Sequence, residues 1–259
     1  MKIYGVQLDI AWEDKAANHA NVRKLLEKTR PEKGSLLVLP EMFDTGFTME
    51  VAKVSDEKNG VTRKFLGDLA KELGVWVMAG FVNSDAKSGK NEAAVFDPQG
   101  REVVRYQKIH PFTRGGEARC YSAGCEVKTF RWGDFTVCPF ICYDLRFPEI
   151  FRMAVRKGAN LFVVIANWPL PREGHWVTLL EARAIENLCY VIAPAQVGKY
   201  PPNRECFGRS MIVDPWGLVL AQAQDKPTVI MADLDLTEIE RVRAQIPCLE
   251  HRRPHVYGE

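Results

Sequence analysis

The sequence predicts an α/β protein built from mixed β-sheets with helices packed outside them. Three observations carry this reading. Short apolar, β-branched runs alternate with amphipathic stretches along the whole chain. One of these runs, "SLLVLPE" (35–41), is continuously apolar before its final residue, the mark of a strand covered on both faces. Two more pairs of runs fold back around Asp97-Pro98-Gln99-Gly100 and Asp214-Pro215-Trp216-Gly217, turn signals that place a hairpin in each half.

The elements follow in order. Residues 2–9 form a first strand, broken by Asp9; with no apolar stretch leading to a small-residue cleavage site, they read as structure rather than as a signal peptide. A helix over 16–30 sets Val22, Leu25, Leu26 and Thr29 on one face. After the buried strand 35–41, a second helix spans 61–74. Val61, Phe65, Leu66, Leu69 and Leu73 line its inner face, and Gly74 stops it. Residues 75–82 are a strand and 93–108 a hairpin. The second half alternates in the same way, with strand 135–142, helix 148–159 opened by Pro148, and strand 160–168. Helix 174–188 sets Trp176, Leu179, Leu180 and Leu188 on one side. Strand 190–198, hairpin 210–223, strand 228–236 and helix 237–246 complete the series. The halves share this alternation without a residue-level repeat, and no linker or shift in composition divides them. Residues 1–259 therefore read as one domain.

Composition narrows the function classes. A chain with 46% hydrophobic and 26% charged residues is ordinary for a soluble globular protein. A net charge of +2, with Lys and Arg scattered among Asp and Glu, leaves no footprint for a polyanion, so nucleic acid is not an expected partner. Apolar runs fall well short of the roughly 18 residues of a membrane span, so no membrane partner is expected either. The seven cysteines are odd in number and lie singly. They suggest neither a disulfide framework nor a zinc site, and the expectation is a cytoplasmic protein with reduced thiols and no metal or other cofactor.

In mixed sheets, reactive groups collect where strands end. Three strand ends carry them: Glu41 after Pro40, Lys108 at the end of the first hairpin, and Cys142 after "FTVCPFI". Each alone has an ordinary explanation, as a salt-bridged carboxylate, a solvated edge lysine or a thiol packed as a small hydrophobe. Cys138, inside the same strand as Cys142, reads as core.

Together they form a pattern. "LLVLPEMF" (36–43), "YQKIHPF" (106–112) and "FICYDLRFPE" (140–149) resemble, in this order, the three signature segments of the nitrilase or carbon-nitrogen hydrolase superfamily. The likeness continues through "ANWP" (166–169), residues 175–191, "GRSMIVDPWG" (208–217) and residues 246–258. The resemblance implies a four-layer αββα sandwich with two mixed sheets, and a catalytic set that falls on Glu41, Lys108 and Cys142. It implies that Glu41 takes the proton of Cys142 and passes it to the leaving ammonia. Protonated Lys108 and the backbone N–H of Tyr143 would stabilise the oxyanion, and water would release the acid from a thioester. A second family glutamate falls on Glu117, as a group that positions substrate or water.

A substrate wall is expected in "NWPLPREGHW" (167–176), with Trp168 and Arg172 as candidates, since a guanidinium fork suits a carboxylate. Phe43 is assigned to the pocket or to the core. Asp144 and Arg146 read as an ion pair shaping the turn, and His175 as a helix-start residue. "HRRPH" (251–255) reads as a contact with a partner subunit, because the family commonly forms homodimers or larger homo-oligomers. Residues 8–22, 40–49 and 166–187 look like the bacterial omega-amidase branch, which acts on the small-molecule amides α-ketoglutaramate and α-ketosuccinamate. Residues 193–217 are closer to the branch that cleaves deaminated glutathione. The alternatives are therefore deaminated glutathione amidase, another amide, nitrile or carbamoyl hydrolase, and, outside enzymes, an inactive binding homologue.

Overall fold

Strand-forming runs separated by helices collect into two sheets that share one apolar interior. The structure, a computed structural model, describes residues 1–57 and 60–257; Gly258, in the closing segment 246–258, lies outside the described residues. The strands are β1 (Lys2–Asp9), β2 (Leu36–Val38), β3 (Trp76–Ser84), β4 (Gly89–Phe96), β5 (Glu102–Gln107), β6 (Phe130–Trp132) and β7 (Phe135–Ile141). They continue as β8 (Leu161–Ile165), β9 (Tyr190–Ala193), β10 (Gln196–Tyr200), β11 (Arg204–Phe207), β12 (Met211–Val213), β13 (Val219–Gln222) and β14 (Thr228–Asp233). The helices are α1 (Lys15–Thr29), α2 (Val51–Val54), α3 (Val61–Leu73), α4 (Glu117–Cys120), α5 (Pro148–Arg156), α6 (Glu173–Asn187), α7 (Leu236–Gln245) and α8 (Pro254–Tyr257).

The eight-stranded sheet runs β11-β10-β1-β2-β3-β4-β5, with β14 also paired to β1; the six-stranded sheet runs β13-β12-β9-β8-β7-β6. Both are mixed: β1-β2-β3 and β7-β8-β9 are parallel, and the hairpins add antiparallel strands. Side chains alternate across a strand, and the cores follow that alternation. Leu36 and Val38 of β2 join Ile141, Val163 and Ile165 of the other sheet between the two layers. Leu37 and its neighbour Leu39 turn the other way, onto Val22 and Leu26 of α1 and Leu66 and Leu69 of α3. Phe151, Trp176 and Leu180 of α5 and α6 belong to the same cluster as the six-stranded sheet, which they cover from outside.

The short helices α2, α4 and α8 were not read in the sequence, and other details of the layers depart from it as well. Val61 is exposed, because it opens α3 ahead of the turn that meets the sheet. Residues 190–198 are two strands in different sheets, β9 beside β8 and β10 beside β1. Pro194 stands between them, and with no N–H it gives no ladder donor, so the chain steps from one sheet to the other there. The short β6 and β11 were not legible as separate strands.

The layers converge at Gly80 of β3. Its N–H donates to Pro40 O at 3.1 Å, and its carbonyl accepts from Phe43 N–H at 3.0 Å. A Cβ at this position would stand 2.7 Å from both Glu41 Cα and Ile165 Cδ1 of the facing sheet. Only glycine lets β3, the segment carrying Glu41 and the second sheet approach this closely. Gly80→Ala is expected to destabilise the protein by about 1–3 kcal/mol in denaturant unfolding, as overpacking does, and to lower turnover. Wild-type stability and rate in this variant would refute the close approach.

Candidate active site

Four chain segments bring Glu41, Lys108, Glu117 and Cys142 to one place. Glu41 follows β2 and is fully buried, as are Lys108 beyond β5 and Glu117 at the start of α4. The Lys108 N–H donates to Asn91 O at 2.9 Å, which carries the β4–β5 pairing one residue past the strand. Its side chain therefore points into the interior rather than to solvent. Lys108 Nζ donates to Glu41 Oε1 at 2.9 Å and to Glu117 Oε1 and Oε2 at 3.0 and 2.9 Å. Asn91 Nδ2 spans the same two carboxylates, at 2.7 Å from Glu41 Oε1 and 2.8 Å from Glu117 Oε1. The second oxygen of Glu41 accepts from Asn167 N–H at 2.8 Å, and that of Glu117 from Phe112 N–H at 2.6 Å.

Cys142 follows β7 directly and begins a 3-10 turn, Cys142–Arg146. Its φ of 49° is left-handed, a strained region for a side chain with a Cβ. Its Sγ lies 3.8 Å from Asn167 O. The backbone N–H groups that open such a turn, including that of Tyr143, have no carbonyl partner within it.

The electrostatics follow from one cation among several acids in a dry place. Burial, reinforced by Glu117, outweighs Lys108 and raises the Glu41 carboxyl above its usual range. Burial works against the Lys108 ammonium, but Glu41 and Glu117 overcome it and hold its pKa well above normal, so it stays charged. Burial and then Glu41 push the Cys142 thiol well up, so the resting sulfur keeps its proton, and a hydrogen bond to Glu41 favours that form. A protonated thiol thus sits beside a carboxylate with heightened proton affinity and a fixed ammonium.

A cavity of about 550 Å³ opens onto Cys142 between Phe47, Phe112, Tyr143, Trp168 and Tyr200. Arg114, Arg146, Arg172 and Arg204 also line it, against one acid, Glu205. Arg146 lies 4.9 Å over the Trp168 ring and Arg172 lies 5.3 Å over Phe112. Among the described residues neither guanidinium has a carboxylate partner. Burial, then the charge of Arg172, lowers the pKa of Arg146. Such a cationic wall favours an anionic guest.

Several assignments change. Phe43 is not at the cavity: it is fully buried on the α1–α3 side, its ring 5.7 Å from His19 and 6.1 Å from Phe65. Its backbone bond to Gly80 holds it there, and Phe47 takes the wall position. Arg146 faces Trp168 and His175 rather than Asp144. Trp168 and Arg172 do reach the cavity, and Trp168 Nε1 donates to Arg172 O at 2.8 Å, which ties the wall together. His175 lies in the first turn of α6. Asn91, Asn167, Phe47 and Phe112 were missed. Asn167, polar at the end of the apolar β8 run, was an available signal; Asn91 sits between Lys90 and Glu92 in the polar start of β4 and gave none. Among the described residues no group of three His, Cys, Asp or Glu could hold a metal, and no helix is long and apolar enough to cross a membrane.

Residues 5–244 match the carbon-nitrogen hydrolase family. The chain is 37% identical to 2-oxoglutaramate amidase of Bacillus subtilis, over 97% of each chain. It is 36% identical to deaminated glutathione amidase of Synechocystis, over 91% of this chain and 92% of the other. The crystal structure of XC1258 from Xanthomonas campestris, a CN-hydrolase superfamily protein, superposes with a TM-score of 0.91 at 30% identity, over 98% of this chain and 97% of that one. The chain belongs to the carbon-nitrogen hydrolase family and is a hydrolase of carbon-nitrogen bonds with the nitrilase fold.

Proposed function

We propose that the enzyme hydrolyses the terminal amide of a short α-keto acid, with α-ketoglutaramate or α-ketosuccinamate as substrate, through a thioester on Cys142. The observation that carries the reading is the buried Lys108 ammonium fixed between Glu41 and Glu117 beside the Cys142 thiol. Glu41 takes the thiol proton as sulfur attacks the amide carbonyl. The resulting oxyanion is met by Lys108 Nζ and the Tyr143 N–H. Collapse expels the nitrogen, which leaves as ammonia with the proton from Glu41. Glu41 then deprotonates a water that attacks the thioester, and the acid departs as the thiol is restored. Glu117 holds Lys108 in register and is itself held by Phe112 N–H.

Arg146 and Arg172, which have no carboxylate partner among the described residues, suit the substrate carboxylate. The similarity to a protein named for the 2-oxoglutaramate reaction supports the choice. A second reading, deaminated glutathione, is favoured by the outer cations Arg114 and Arg204 and by a cavity roomy for a five-carbon amide. The family resemblance supports a cytoplasmic, homo-oligomeric enzyme.

Ammonia release from α-ketoglutaramate, deaminated glutathione, glutamine and a simple nitrile tests the substrate. Fast release from α-ketoglutaramate, and none with Cys142→Ala, is expected; a preference for deaminated glutathione would move the assignment to the second reading. Arg146→Ala should raise KM for the anionic amide by about 10–100-fold, the worth of a hydrogen bond to a charged group; an unchanged KM would remove that residue from the site.

The chemistry needs ionised Glu41. Its carboxyl is raised, so kcat/KM should climb with pH through a limb above the ordinary glutamate value of 4.5. Glu41→Gln should abolish that limb with the activity; an acid limb at the ordinary value would argue against Glu41 as base. Glu117→Ala should lose most activity while Cys142 in the folded protein still alkylates. Retained turnover would strike Glu117 from the catalytic set.

A further inference from the structure

Asp144, two residues beyond Cys142, is fully buried, and each of its carboxylate oxygens accepts two hydrogen bonds. Oδ1 takes the His110 N–H at 3.0 Å and the His110 ring Nδ1 at 2.8 Å. Oδ2 takes Tyr106 Oη at 2.7 Å and the Ile141 N–H at 3.1 Å. All four donors flank residues of the proposed reaction. Tyr106 and His110 stand two places before and two places after Lys108, so Asp144 grips the lysine segment on both sides. Ile141 immediately precedes Cys142, so the same carboxylate spans the turn that keeps Cys142 at a φ of 49°. The grip is reinforced: the His110 ring stacks 3.6 Å from that of Phe147, whose N–H donates to Asp144 O at 3.0 Å. Burial, then Asp144, raises the Tyr106 phenol far above its usual range, so it stays a donor.

We propose that Asp144 is a positioning residue: by fastening the Lys108 segment to the Cys142 turn, it sets the ammonium and the Tyr143 N–H against the position of the oxyanion. The proposal rests on the reading of Cys142 as nucleophile and Lys108 as oxyanion partner. Asp144 acts through these groups and does not line the cavity. A displacement of about 1 Å at a reacting centre costs about 10²-fold in rate, so a carboxylate that registers two segments has a kinetic effect separable from stability.

Asp144→Asn keeps the side-chain volume but turns an NH₂ toward two donors. The expected result is a kcat lower by about 10²-fold with KM within about threefold of wild type, because substrate binding is untouched. Alkylation of Cys142 by iodoacetamide, which needs no oxyanion partner, should slow far less than turnover. Tyr106→Phe removes one donor and leaves the carboxylate in place; kcat should fall by about tenfold. If Asp144→Asn fails to fold, Tyr106→Phe decides alone, with lowered kcat in support and wild-type kcat against. Wild-type kcat in folded Asp144→Asn, or a loss confined to KM, would overturn the proposal. Cys142→Ala and Lys108→Met, run alongside, separate the two claims: activity surviving in them would defeat the catalytic reading itself. Their loss of activity beside an unimpaired Asp144→Asn would defeat only the positioning role.

Discussion

The ammonium of Lys108, buried between two carboxylates, is the constraint around which the site is arranged. Taking a charge out of water costs several kcal/mol even after relaxation, and it is tolerated only when partners are close and fully hydrogen-bonded. Here Glu41, Glu117 and the bridging amide of Asn91 supply that company. Burial is the main cause of the raised proton affinity of Glu41, with the charge of Glu117 adding to it against the pull of Lys108. Burial, then the charge of Glu41, keeps the neighbouring thiol protonated.

Both sheets are needed to build it. The eight-stranded sheet delivers Glu41 from the end of β2, Lys108 from the end of β5 and Asn91 from β4; the six-stranded sheet delivers Cys142 from β7 and Asn167 from beyond β8. Asn167 joins the two, donating its N–H to Glu41 Oε2 and its Nδ2 to Glu41 O at 2.9 Å. The left-handed turn at Cys142 stores strain that this packing over-determines. Close approach at Gly80 is therefore as much part of the site as the reactive groups.

The strand ends were legible because apolar runs stop abruptly at Glu41 and Cys142, and a hairpin stops at Lys108; the unbroken apolar run of β2 likewise announced a strand buried on both faces. What depends on three-dimensional direction was not. Phe43 and Phe47 are equally apolar in sequence, and only the backbone bond of Phe43 to Gly80 decides which ring meets the cavity. Asp144 and Arg146 lie two apart, which suggested a local pair, yet the 3-10 turn sends one into the core and the other to the cavity wall. Asn91 was invisible because its partners lie 50 and 26 residues away. Pro194 hid a change of sheet inside one apolar run.

The account turns on a covalent bond to one sulfur. The most direct test is intact-mass and peptide-mass analysis of the enzyme, acid-quenched during turnover of α-ketoglutaramate. The account predicts a transient gain equal to the substrate less ammonia, carried on the Cys142 peptide and gone once substrate is spent. Sustained ammonia release with Cys142 unmodified throughout, or an adduct on another residue, would contradict it.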